Sequence, residues 1–114
     1  MLLAVTHRMD DTVLVIALEG AVTLSTLPQL SDGLSRAVGT NFPSGVVVDL
    51  DALDTVDDAG LGILMGFVGK LRLQGLDAVC IASLPRIRQR LADTGFDKAV
   101  AVAGSQTEAV RRLG

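Results

Sequence analysis

Four aspartates, Asp51, Asp54, Asp57 and Asp58, fall within eight positions directly after the apolar run Val46 to Leu50. Carboxylates grouped this way after a strand can hold a divalent cation and receive a phosphoryl group, with Asp51 placed as the acceptor. They can also serve a helix start, where the first backbone N–H groups lack internal partners and the macrodipole is positive. Asp57 has the side chain of a good N-cap, and Asp58 would then sit in the first turn. Little else offers nucleophilic or metal chemistry. The chain has one histidine, His7, and one cysteine, Cys80. A protein-only zinc site needs more N and S ligands than these two provide. A cysteine-protease pair or a serine triad would have to use His7, close to the N-terminus. Cys80 lies inside the apolar run Ala78 to Ala82, as an inert buried thiol does. Lone-cysteine usage fits a reducing compartment. No glycine-rich phosphate loop of the G-x-G-x-x-G or Walker type is present.

Composition limits the partners. The chain has 114 residues, enough for one domain with a real core. At 49% hydrophobic and 20% charged residues it is expected to be globular. Ten basic and 13 acidic side chains leave a net charge of −3, which argues against nucleic acid as a partner. The longest stretch without a charged or polar side chain, Ala59 to Gly69, is shorter than the about 20 residues a membrane span requires. The N-terminal run Met1 to Val5 lacks a basic flank and soon meets His7, Arg8 and two aspartates, unlike a signal peptide. The expected location is the cytoplasm, without membrane insertion.

The elements that must position these residues follow from periodicity. Leu2 to Thr6 and Thr12 to Leu18 are expected strands, joined by a turn at Met9 to Asp11 and ended by Gly20. Ser25 or Thr26 caps a helix with Pro28 in its first turn and an apolar stripe of Leu27, Leu30, Leu34 and Val38. Val46 to Leu50 is a strand covered on both faces. A carboxylate-rich loop follows, then a helix from Asp58 to Leu73 stopped by Gly75. Ala78 to Ala82 is a buried strand, and Ser83-Leu84-Pro85 opens a helix that stops at Gly95. A strand over Ala99 to Val102 and a helix over Thr107 to Leu113, capped by Ser105, complete the chain. The order β-β-α-β-α-β-α-β-α demands an α/β fold with a mixed, mostly parallel sheet.

The helix after Asp57 is unusual. Leu61, Leu64, Met65, Val68 and Leu71 form an ordinary apolar stripe. Gly62, Gly66 and Gly69 form a second line, each costing about 0.8–1 kcal/mol relative to alanine. Either a neighbouring element approaches closely there, or the helix offers a flat surface to a partner. The exposed part of such a helix is able to support a homodimer.

The stretches VVVDL, TVDDAGLGIL and LPRIRQRLADTGFD, in this element order, resemble the STAS domain over nearly the whole chain. Within it the similarity is to the bacterial anti-sigma factor antagonists, also called anti-anti-sigma factors. The resemblance implies a mixed sheet with helices over one face and a protein that regulates transcription by binding, not an enzyme. It requires no cofactor. Its partner would be an anti-sigma factor that is also a serine kinase. Binding frees the sigma factor, phosphorylation of a serine at the helix start ends binding, and a phosphatase resets it. Matched position by position, Asp57 is the motif aspartate and Asp58 falls on the phosphorylated serine. Ala59 falls on a second serine, and Gly60 and Leu61 keep the family pattern. Where the family tends to read G-E-L-D, this chain reads Gly20-Ala21-Val22-Thr23.

Asp58 has no hydroxyl to accept a phosphoryl group and carries a fixed negative charge, so it is phosphomimetic in part. It either weakens binding or meets a partner that accepts the carboxylate; kinase control at this position is lost in both cases. Thr23, Ser25, Thr26 and Thr55 offer hydroxyls for a displaced phosphosite, though each is more simply a cap or loop residue. The implied partner surface comprises Thr23, Ser25, Asp57, Asp58, Ala59, Gly60, Leu61, Gly62, Leu84 and Arg88. Two alternatives remain. One is an accessory STAS subunit of an ABC lipid transporter, whose motifs Ala59 matches. The other is a receiver-like phosphoacceptor domain, which lacks support because Asp10 and Asp11 precede a strand and Ala99 to Ala103 offers no lysine.

Overall fold

The computed structural model describes residues 2–39 and 41–113. The chain opens with a hairpin in which β1 (Leu3–Asp10) pairs antiparallel with β2 (Val13–Val22). β1 runs further than its apolar residues suggest, and the turn is only Asp11 and Thr12, not Met9 to Asp11. Asp11 has φ +54, a left-handed conformation that aspartate tolerates in tight hairpins.

After β2 comes a single 3-10 turn, Leu24–Thr26, and helix α1 (Leu27–Gly39). Then follow β3 (Gly45–Val56), α2 (Asp58–Leu73), β4 (Ala78–Ile81), α3 (Pro85–Thr94), α4 (Phe96–Ala99), β5 (Ala101–Ala103) and α5 (Gln106–Leu113). The strands lie in the order β1-β2-β3-β4-β5, parallel from β2 onward. This is the mixed α/β sheet expected from the element order.

Side chains alternate across the strands and fill two cores. On one face Leu14, Ile16, Leu18, Val48 and Leu50 pack beneath Leu30, Leu34, Leu64, Val68, Leu91 and Phe96. On the other, Val13, Val15, Val47, Val79 and Ile81 meet Ala109, Val110 and Leu113 of α5. Helices over one face thus describes α1 to α4, while α5 covers the reverse side. The unbroken run Val46-Val47-Val48 has this cause: each of its faces is buried.

Two boundaries correct the sequence reading and matter for function. β2 does not end at Gly20 but passes through it to Val22, with register shifts against β3 on either side. Gly20 has φ +107, and a Cβ there would lie 2.2 Å from the Leu2 carbonyl oxygen, so only glycine fits. β3 likewise continues past Leu50 to Val56, so Asp51 and Asp54 are strand residues and not loop residues. Leu53 and Val56 anchor this extension in the core while the aspartates point away. Near the C-terminus, Gly95 (φ +77) ends α3 and a new turn, α4, seats Phe96 in the core. That turn consumes Ala99 and shortens the last strand to Ala101–Ala103.

Candidate functional site

The long β2 and β3, neighbours inside the sheet, carry their C-terminal ends to the same end of it. Val22 pairs with Val56 in register, and the Asp57 N–H donates to the Val22 carbonyl at 2.9 Å. The residues that follow each strand, Thr23 and Asp57, therefore emerge side by side. The 3-10 turn is pinned by Thr26, which is buried. Its hydroxyl donates to the Ala21 carbonyl at 2.8 Å and accepts from the Thr23 N–H at 2.9 Å. Ser25 is exposed and shares a hydrogen bond with the Thr23 hydroxyl at 3.0 Å. Leu24, between them, is 74% exposed. Sequence patterning did not single it out, because a lone leucine between polar residues carries no periodicity.

α2 begins beside this turn. Asp57 occupies the N-cap position with extended backbone, yet its carboxylate makes no capping hydrogen bond among the described residues. Asp58, in the first turn, is the more engaged acid. Its Oδ1 accepts from Arg90 Nη2 at 2.6 Å, with 77% of the Asp58 side chain still exposed. Ala59 and Gly62 face outward, whereas Gly60 and Leu61 face the core. A Cβ on Gly60 would lie 2.1 Å from Val22 Cγ1, so the helix start is seated directly on the end of β2. Around Gly62, Gly66 and Gly69 there is nothing within 4 Å of an added Cβ. The glycine line therefore does not mark close packing among the described residues. Met65, expected on the buried stripe, is 41% exposed on the open side.

The third contributor is α3. Arg86 and Arg90 lie one turn apart and both reach the end of β3. Arg86 donates through Nη1 to the Asp54 carbonyl and through Nη2 to the Leu53 carbonyl. Arg90 Nε donates to the Val56 carbonyl at 2.9 Å. Arg88 points elsewhere, to the Ala82 carbonyl at 2.9 Å, and Leu84 is the half-exposed N-cap of α3. The structure thus brings Thr23, Ser25, Asp57, Asp58, Ala59 and Gly62 together, and adds Arg90. Leu84 sits at the N-terminal end of α3, and Arg88 lies on a different face of that helix from Arg90. The sequence shows that the three arginines cannot share one face; it does not show which face meets α2.

Asp51 is committed to structure. Its Oδ1 accepts the Ser83 N–H at 2.7 Å and its Oδ2 the Ser83 hydroxyl at 2.8 Å, tying β3 to the start of α3. Among the described residues, no group of three or more His, Cys, Asp or Glu side chains is arranged to hold a metal ion. Burial pushes the Cys80 thiol up to about 12, so it stays protonated and unreactive at neutral pH. No described helix is long and apolar enough to cross a membrane.

Comparison with known proteins agrees with this geometry. An anti-sigma factor antagonist from Mycobacterium paratuberculosis superimposes with a TM-score of 0.83 at 23% identity, covering 97% of this chain and 93% of that one. A Moorella thermoacetica RsbS variant carrying a serine-to-glutamate substitution gives 0.76 at 25% identity, over 96% and 93% of the two chains. The Bacillus cell fate determinant SpoIIAA in its phosphorylated form gives 0.68 at 20% identity, over 97% and 100%. The STAS domain model matches residues 4–109, from the first strand into the last helix, and the chain belongs to the STAS domain family.

Proposed function

We propose that this chain is an anti-sigma factor antagonist. It binds an anti-sigma factor of the serine kinase type and so controls sigma-factor-dependent transcription, without catalysing a reaction of its own. The observation that carries the reading is the placement of Asp58. It stands exposed in the first turn of α2, beside the turn of Thr23 and Ser25, and the motif resemblance matches it to the serine that the antagonists' kinase modifies. Structural neighbours that are anti-sigma factor antagonists support the class of partner. The partner surface is the end of the sheet that bears Thr23, Leu24 and Ser25, with the open side of α2 from Asp58 to Met65. With aspartate at the switch position, the partner's kinase activity has no hydroxyl to modify there.

The test is calorimetric titration of the wild-type chain and Asp58→Ser against each serine-kinase-type anti-sigma factor encoded by the source organism. At least one partner should bind the chain, and bound chain should displace the sigma factor from that partner. After ATP is added, mass spectrometry should find phosphate on Asp58→Ser and none at position 58 of the wild type. If neither protein binds any such kinase, the antagonist reading is wrong and an accessory role in an ABC lipid transporter replaces it.

A further inference from the structure

The Arg90 guanidinium is held from two sides. Nη2 meets Asp58, but Nε is fixed independently by the Val56 carbonyl at 2.9 Å. One turn earlier, Arg86 grips the Leu53 and Asp54 carbonyls, so the whole face of α3 is clasped to the end of β3. Arg90 is itself only 42% exposed. The cation is therefore part of the framework, placed where any anion at position 58 must meet it. The charge-assisted bond between Arg90 and Asp58 measures 2.6 Å.

We propose that Arg90 is the specificity-determining residue of this surface. By pairing with Asp58 it cancels the carboxylate's charge and spares the start of α2 the net negative charge of a modified serine, so the chain is a permanently binding-competent antagonist and not a damped one. The inference rests on the antagonist reading. The charge balance supports it. An aspartate and an arginine sum to zero and an unmodified serine beside the same arginine to about +1, whereas a phosphoserine of about −1.5 to −2 there leaves about −0.5 to −1. The other charged groups nearby are Asp57, at the N-cap, and Asp93, which shares the cleft of Asp58, Gly62 and Met65. Asp93 accepts from Gln89 Nε2 at 2.8 Å. Neither acid competes for Arg90 among the described residues, so the pair stands as a unit. The partner this surface fits is one that accepts a neutral Asp–Arg pair and rejects an unpaired carboxylate.

The experiment is a binding cycle against the anti-sigma kinase found above, with circular dichroism melts to confirm folding of each variant. Wild type and Asp58→Ser should bind within threefold of each other. Arg90→Gln should lose at least tenfold, because it uncovers the carboxylate, and the loss should shrink at high salt. Asp58→Asn combined with Arg90→Gln should return to within threefold of wild type. Tenfold tighter binding by Asp58→Ser overturns the inference while leaving the antagonist reading intact. Wild-type affinity in Arg90→Gln also overturns it, as does failure of the double variant to recover. No binding by any variant, Asp58→Ser included, removes the antagonist reading and the inference together.

Discussion

The two sides of α2 use the same residue type for opposite reasons. On the inner side, Gly60 lies against Val22 so tightly that no Cβ fits, and Leu61, Leu64, Val68 and Leu71 continue the seal over the sheet. On the outer side, Gly62, Gly66 and Gly69 face open space with Met65 between them. Inner and outer glycines are two to nine positions apart in one helix, and the sequence does not distinguish them. What separates them is the end of β2, which touches only the first turn. The inner glycine is required by packing within the chain. No packing within the described residues requires the outer ones, although each weakens the helix.

The largest effect belongs to the inner side. In Gly60→Ala the new methyl must displace Val22, a fully buried β-branched side chain on the same strand end that carries Thr23. Overpacking of this kind costs about 1–3 kcal/mol. It outweighs the gain of up to about 1 kcal/mol that alanine brings to a helix. Urea unfolding should show a net loss, and a midpoint equal to or above wild type would mean that the close approach is not rigid. The variant's affinity for the proposed anti-sigma partner should fall with it, since the helix start and the Thr23 turn move together.

The outer side should respond with the opposite sign. Gly66→Ala adds a methyl where nothing is within 4 Å, so it should stabilise by about 0.8–1 kcal/mol in the same unfolding assay. A loss of stability would show that the outer face is covered in the free protein, as in a homodimer, and sedimentation would then give twice the monomer mass. Gly62→Leu sharpens the contrast. It should keep or raise stability while lowering affinity for the partner at least tenfold, because the side chain stands on the partner surface beside Asp58. Equal affinity would place the partner elsewhere.

Most of this architecture is legible in the sequence because period and punctuation are local. Asp58 and Leu73 bound α2 as read, and Gly75 and Gly95 both stop helices with positive φ. Ser105 caps α5 through the Glu108 N–H. The misreadings share a cause. Asp51 and Asp54 look like a loop because charged residues are rare in buried strands, yet the backbone ladder to β2 holds this segment extended and only every third residue reaches the core. Gly20 looks like a strand end because glycine usually is one, whereas here it lets a strand pass the Leu2 carbonyl. The site divides the same way. Asp58 and its neighbours are recognisable from the motif, but the partner of Asp58 comes from 32 residues away. Choosing Arg90 over Arg88 needs the rotation of α3, and that rotation is set by Ile87 and Leu91 entering a core that no local pattern describes.

The smallest effect bears on the boundary between the two sides, where Asp58 meets Arg90. The pair is short but largely exposed, and exposed ion pairs are worth about 0.2–1 kcal/mol. A double-mutant cycle with Asp58→Asn and Arg90→Gln should give a coupling in that range from unfolding, falling toward zero in high salt as screening takes over. Arg90→Gln alone should cost somewhat more than the coupling, because the Val56 carbonyl also loses a donor. A pair that contributes so little to folding, while Arg90→Gln alone changes partner affinity tenfold, is held in place for recognition. A coupling well above 1 kcal/mol that resists salt would instead make it a structural fastener between α2 and α3, and the contrast between a packed inner side and a binding outer side would no longer run through Asp58.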